Sequence, residues 1–440
     1  MSLRFDWKVV MVLFVSLIFL SLEGVLALYP GYESVVIVPF GEVDIRLYVI
    51  ALDDVGGYGV GNVTRTVEGA FFASRRNVTR CLIRGPPPEW EFGEIKININ
   101  VTVINGWDGY KEIVETCSKA IIVNAHGETI PVPAGYSKEN WVDKIAEAML
   151  QRSVTWVHTA GYPFYYYHHQ QSGEGEWGGE GFKRLMSHIG KNNVTCGFIY
   201  PWMEKDLIDI HIGAEQELGR DWSALANAVR VQIGKPLNGS QFKDRLVMSI
   251  WGVERGYITG AIIKFTNTFN TYNFGFYVHI GTYNTYDYKA TSSNDPPTDS
   301  DYYRGLAGAA AAIWARAWHL AAQNAILDAE ASIAKAENEG RTKGLDNAKQ
   351  LLQNAKNILT AENGKLGDLL HQYYHIWASN SFGIVILRAY AARDAADNAV
   401  KPSFIEAHTL PLTILAIGTI TTTVMALIWK RDSKKGSKTG

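Results

Sequence analysis

Between residues 99 and 164 the hydrophobic pattern changes period four times, and that alternation constrains the fold more than any other feature. INVTVING alternates apolar and polar residues as a half-buried strand does, and DGYKEIVETCS follows with helical spacing. The run AIIV stops at Asn124 and reads as a second, buried strand. Ser137 stands where an N-cap belongs, and Trp141, Ile145 and Met149 recur at four-residue steps on one helical face. VTWVHTAGYPF is the third strand. Strand–helix–strand–helix–strand at these lengths predicts parallel strands joined by right-handed crossovers, a doubly wound, flavodoxin-like α/β sheet. Ligands of such sheets sit beyond the carboxyl ends of the strands.

Two polar loops fall at that edge, NAHGET and TAGYPFYYYHH. Asn124, His126 and Glu128 supply donors and acceptors, and histidine titrates near neutrality, as acid–base work requires. Tyr162, Tyr165, Tyr166 and Tyr167 offer flat apolar faces with hydroxyls, the surface on which sugars stack. Farther on, GAIIKFTNTFN and FGFYVHIGTY alternate around a short polar turn, a β-hairpin that brings His279 to the same edge. The expectation is a ligand site of Asn124, His126, Glu128, Tyr162, Tyr165 and His279, with the His126 ring open to a cleft. Two other readings stay open at this point. The loop is either a polar turn that bonds only itself, or a catalytic pair formed by His126 and Glu128. His168 and His169 are adjacent and so point apart, and neither a metal nor another cofactor is expected. SGEGEWGGEG, with Glu174, Glu176 and Glu180, reads as a flexible acidic loop.

VNAHGE, HTAGYPFYY and the hairpin AIIKF…NFGFYVHIG together resemble the class I glutamine amidotransferase-like superfamily in its wider sense, degenerate members included, over about residues 95 to 290. That family carries a nucleophilic cysteine on a tight elbow after the third strand, in a G-x-C-x-G setting. Here the elbow reads Ala160-Gly161-Tyr162-Pro163-Phe164, without cysteine, and Pro163 has no backbone N–H to lend to an oxyanion hole. The resemblance therefore implies a degenerate domain that does not transfer amide nitrogen. Caspase-like peptidases also place His-Gly at a strand end, as His126-Gly127 does, but need a cysteine after the next strand. Cys196 lies well beyond that position.

The ends of the chain set its expected topology. Residues 1–27 combine a basic start, an apolar stretch and Val25-Leu26-Ala27, the pattern of a secretory signal peptide. Residues 410–429 carry no charge and as a helix would rise about 30 Å, enough to cross a bilayer. The basic tail 430–440 that follows is cytoplasmic by the positive-inside rule. Residues 28–304 then form an extracytoplasmic α/β domain, 305–401 an Ala-rich antiparallel helical bundle or stalk, and 402–409 a linker; 292–301 read as a turn-rich joint. Asn62, Asn77, Asn100, Asn193 and Asn238 open N-x-S/T sequons, all on the outer side. Cys81, Cys117 and Cys196 allow one disulfide and match no zinc module. A net charge of −2 makes no electrostatic case for nucleic acid. The expected role is a single-pass cell-surface protein that binds a carbohydrate or small molecule, or scaffolds, with self-association or a protein partner through the helices. The alternative is an extracytoplasmic hydrolase acting through His126 and Glu128.

Overall fold

The structure, a computed structural model, describes residues 35–57, 59–84, 90–194, 196, 209–210, 237–253, 257–268, 271–282, 300–360 and 377–403. The expected signal peptide, the segment 410–429 and the tail 430–440 lie outside these residues. Among the described residues no helix is long and apolar enough to cross a membrane.

The chain enters through a strand absent from the sequence reading. β1 (Val35–Ile50) buries Val43, Ile45, Leu47 and Val49 and exposes Glu42, Asp44 and Arg46 between them, the period-two pattern of a strand covered on one face. α1 (Val63–Ala73) starts at Asn62, whose side chain accepts the Arg65 N–H. β2 (Val78–Arg84) runs antiparallel to β3 (Trp90–Ile104), and β3 runs parallel to β1. α2 (Trp107–Thr116) leads to β4 (Ile121–Asn124), parallel to the other side of β1. After the short β5 (Thr129–Val132), α3 (Lys138–Arg152) is capped as expected, Ser137 Oγ accepting the Asn140 N–H at 3.2 Å. α3 buries Trp141, Ile145 and Met149 and returns the chain to β6 (Thr155–His158), parallel to β4. The stretch expected as a loose acidic loop instead forms β8 (Gly173–Glu176), paired with β7 (Tyr166–His169), and then α4 (Glu180–Ser187). Backbone pairing with β7 gives that glycine-rich segment the order its composition does not suggest.

β9 (Asp209–Ile210), β10 (Leu237–Asn238), β11 (Leu246–Val253), β12 (Tyr257–Phe265) and β13 (Gly275–Ile280) complete the large sheet, in the order β2-β3-β1-β4-β6-β13-β12-β11-β9. β3, β1, β4, β6 and β13 are mutually parallel, while β12 and β13 form the expected antiparallel hairpin. Successive parallel strands are added on one side from β1 to β3 and on the other from β4 to β13. The direction of winding thus reverses between β1 and β4, and a crevice opens at such a point in doubly wound sheets. β5, β7 and β8 make a separate three-stranded sheet.

α2, α3 and α4 bury Tyr110, Val114, Trp141, Met149, Phe182 and Leu185 with Ile50, Ile122, Trp156 and Tyr277 of one sheet face. α1 and the first part of α5 (Ser300–Asn338) lie on the other face. There Trp314 Nε1 donates to Arg80 O at 3.0 Å, and a Cβ added at Gly308 would sit 2.6 Å from Val157 Cγ1. α6 (Leu345–Thr360) and α7 (Trp377–Asp397) follow the turn at Gly340, whose φ of +69° suits a helix end. The helices do not separate from the sheet domain at residue 305. One compact unit comprises Met1–Asn324 and Ala355–Leu387, the other Ala325–Asn354 and Arg388–Gly440. Trp314 and Trp318, which read as part of a stalk seam, cover the sheet. In the second unit the Arg341 guanidinium binds the carbonyls of Ala396, Asp397 and Ala399 at 2.8–3.1 Å, closing the end of α7.

Candidate functional site

β4 ends where Asn124 turns the chain back on itself. Its Nδ2 donates to Thr129 O at 2.9 Å, its Oδ1 accepts the His126 N–H at 3.2 Å, and Thr159 Oγ1 donates to Asn124 O at 2.6 Å. Gly127 takes φ +61°, and a Cβ there would meet Gly59 O at 2.4 Å. The glycine lets the loop after β1 close onto this turn, where Gly59 O accepts the Glu128 N–H at 2.9 Å.

That closure seals His126. The ring is 0% exposed, and its Nε2 accepts the Leu52 N–H at 3.0 Å. The neutral ring therefore carries its proton on Nδ1, which is buried and meets no acceptor among the described residues. Burial, with a smaller push from His168 and against a weak pull from Asp54, takes its pKa from 6.5 down to about 3. Glu128 is likewise sealed, at 2% exposure, and its Oε1 accepts the Tyr162 N–H at 2.5 Å. A Cβ at Gly161 would fall 1.6 Å from that oxygen, so the elbow needs glycine there to admit the carboxylate. The expected open cleft over His126 is thus corrected: both side chains are committed to backbone N–H groups of neighbouring loops. A buried N–H left without an acceptor costs about 1–3 kcal/mol, which is the work these residues do.

The other predicted residues divide. Tyr162 belongs to the same bonded group through its N–H, and its half-buried ring stacks on Tyr165 with centroids 4.8 Å apart. His279 is 0% exposed and stacks on His158 at 5.5 Å with the planes 9° apart. Register places Asn124, His158 and His279 side by side on β4, β6 and β13. His158 escaped sequence reasoning, although it ends its strand as Asn124 ends the preceding one. Its Nε2 lies 3.1 Å from Gly161 O, and burial together with His279 holds its pKa well below 6.5.

His168 and His169 point to different partners, Gly56 O at 3.3 Å and Tyr136 O at 2.9 Å. Among the described residues no three His, Cys, Asp or Glu side chains converge as metal ligands would. No disulfide joins the three cysteines. The Cys117 thiol, buried and pushed up to about 11 by that burial, is protonated and a poor nucleophile. Chemically the edge thus combines a tyrosine surface with an interior whose polar groups His126 and Glu128 are committed to hydrogen bonds. Comparison with protein-family models, with curated proteins and with solved structures finds no match, so the fold and this site rest on the chain's own residues.

Proposed function

We propose that the chain is a membrane-anchored cell-surface protein that binds a ligand or scaffolds a partner rather than catalysing a reaction. Its α/β domain is read as flavodoxin-like and of the degenerate amidotransferase kind. The bound group, a carbohydrate or another small molecule, rests on the Tyr162–Tyr165 surface beside the β1/β4 switch point. The observation that carries this reading is the commitment of His126 and Glu128. Hydrolysis needs a base with a free lone pair facing substrate. The His126 lone pair is taken by Leu52 and a Glu128 oxygen by Tyr162. Tyr162 and Tyr165 keep partly exposed stacked rings at the same edge, the arrangement suited to a sugar face. Anchoring rests on the uncharged segment 410–429 and the basic residues after it.

The test uses the full-length protein in detergent on a glycan array and in parallel with glutamine, ester and peptide substrates. Glycan capture that Tyr162→Ala and Tyr165→Ala abolish, without turnover of any substrate, is the expected result. Turnover lost in Glu128→Gln, with the fold intact by circular dichroism, would establish the hydrolase instead.

A further inference from the structure

The sheet β5-β7-β8 carries a cavity of about 280 Å³ lined by Thr129, Tyr166, Tyr167, Glu174, Gly175 and Glu176. Two of them adjoin the sealed group around His126 through their backbones: Thr129 O accepts Asn124 Nδ2, and the Tyr166 N–H donates to Glu128 O at 3.3 Å. Thr129, Tyr166 and Glu176 are register neighbours in one row, and Glu174 stands two residues from Glu176 on the same strand face. Those four side chains define the cavity's side of the sheet. Tyr167 and Gly175 form the intervening register pair and belong to the opposite face, where the Tyr167 hydroxyl would lie 2.4 Å from a Cβ added at Gly175. Glycine there leaves the room that the Tyr167 phenol occupies.

The lining decides the chemistry. Its two carboxylates are exposed, no lysine or arginine lines the cavity among the described residues, and the one basic neighbour in register is His168, opposite Glu174. Tyr165 Oη donates to Glu176 Oε1 at 2.8 Å, which fixes one carboxylate in orientation. Glutamates two apart on a strand have Cα atoms about 6.8 Å apart. That spacing spans an organic cation more readily than it converges on one metal ion. The Tyr166 ring adds a face whose quadrupole attracts an ammonium group. We propose that this cavity binds an organic ammonium, carried either by a free amine or by a lysine side chain of a polypeptide. The proposal rests on reading this edge as a binding surface and adds the charge class of the ligand.

Calorimetric titration of the full-length protein in detergent tests it, with choline as the free cation, N-acetyl-lysine amide as the polypeptide group and sorbitol as a neutral molecule. Binding of either ammonium that weakens as salt rises, with affinity about tenfold or more lower in the Glu174→Gln/Glu176→Gln double variant, supports the proposal. Both glutamates are exposed, so the variant should keep the wild-type circular dichroism and melting temperature. Absence of ammonium binding, equal binding of sorbitol, or ammonium binding unchanged in the double variant overturns it. Sorbitol binding alone overturns the charge class while leaving the wider reading of the edge as a binding surface intact. Failure of glycan capture at Tyr162 bears on that wider reading and not on these glutamates.

Discussion

His126 is a base whose folded surroundings accept only its neutral form, and this ties the stability of the domain to pH. Its folded pKa, about 3, lies below the ordinary 6.5, so between those values the unfolded chain binds the extra proton. Stability from this residue is complete above about pH 6.5 and is lost as pH falls toward 3, by up to about 1.4 kcal/mol per pH unit. His158, also depressed by burial, adds in the same direction. Guanidinium unfolding should show stability dropping from pH 7 to pH 4, with a shallower slope in His126→Ala. That variant should also lose about 2–4 kcal/mol at pH 7, because the Leu52 N–H is left buried without an acceptor. An unchanged midpoint in His126→Ala would mean that the ring does not hold the loop. Asn124, His126 and Glu128 were legible as polar residues at a strand end. Their closure was not, because Leu52 and Gly59 lie some seventy residues earlier and no local pattern couples them to the turn.

At the scale of elements, the pattern from β3 to β6 was legible because each strand and helix buries a face within about fifty residues of sequence. β1 went unread, yet it inserts between β3 and β4, so two strands consecutive among the parallel ones in sequence are not neighbours in the sheet. The first part of α5 read as a stalk for a physical reason: alanine and tryptophan at three- and four-residue steps declare a buried seam without naming what buries it. Glycines reveal the partner. A Cβ at Gly69 of α1 would lie 1.9 Å from Tyr302 O, and one at Gly305 of α5 would lie 2.1 Å from Thr66 O, so the two helices touch backbone to backbone. Gly69→Ala should therefore destabilise by about 1–3 kcal/mol through overpacking, despite alanine's better helix propensity. Gly109→Ala in α2 is the control. Its nearest neighbour would be Ile104 Cγ2 at 3.5 Å, an ordinary contact, and the change should gain up to about 1 kcal/mol. Thermal melts of the two variants should move in opposite directions, and parallel shifts would remove the close helix contact from the account of stability.

For the whole molecule, the sequons and the terminal charges make one joint prediction about sidedness. Asn62, Asn77, Asn100 and Asn193 are exposed, so the fold leaves each amide reachable. Asn100 is exposed although it sits mid-strand, because the face of β3 that bears Lys96, Asn98 and Asn100 is open to solvent. Asn238 differs: it is half-buried, and its Oδ1 accepts both the N–H and the hydroxyl of Ser240, the residue an N-glycosylating enzyme would also engage. If residues 28 to about 405 lie outside, as proposed, expression in an N-glycosylating host should add glycans at the four exposed sites. Asn238 should be modified least, as site-resolved mass spectrometry after glycosidase treatment would read. Protease added to intact cells should digest this glycosylated part and spare an epitope placed after Gly440. The basic residues Lys430, Arg431, Lys434, Lys435 and Lys438 give the reason, since moving five charges outward opposes the bias that orients a single span. If the tag is cleaved from outside while the sequons stay bare, the charge asymmetry has been read with the wrong sign. The tyrosine edge and its acidic cavity would then face the cytoplasm and meet a different set of ligands.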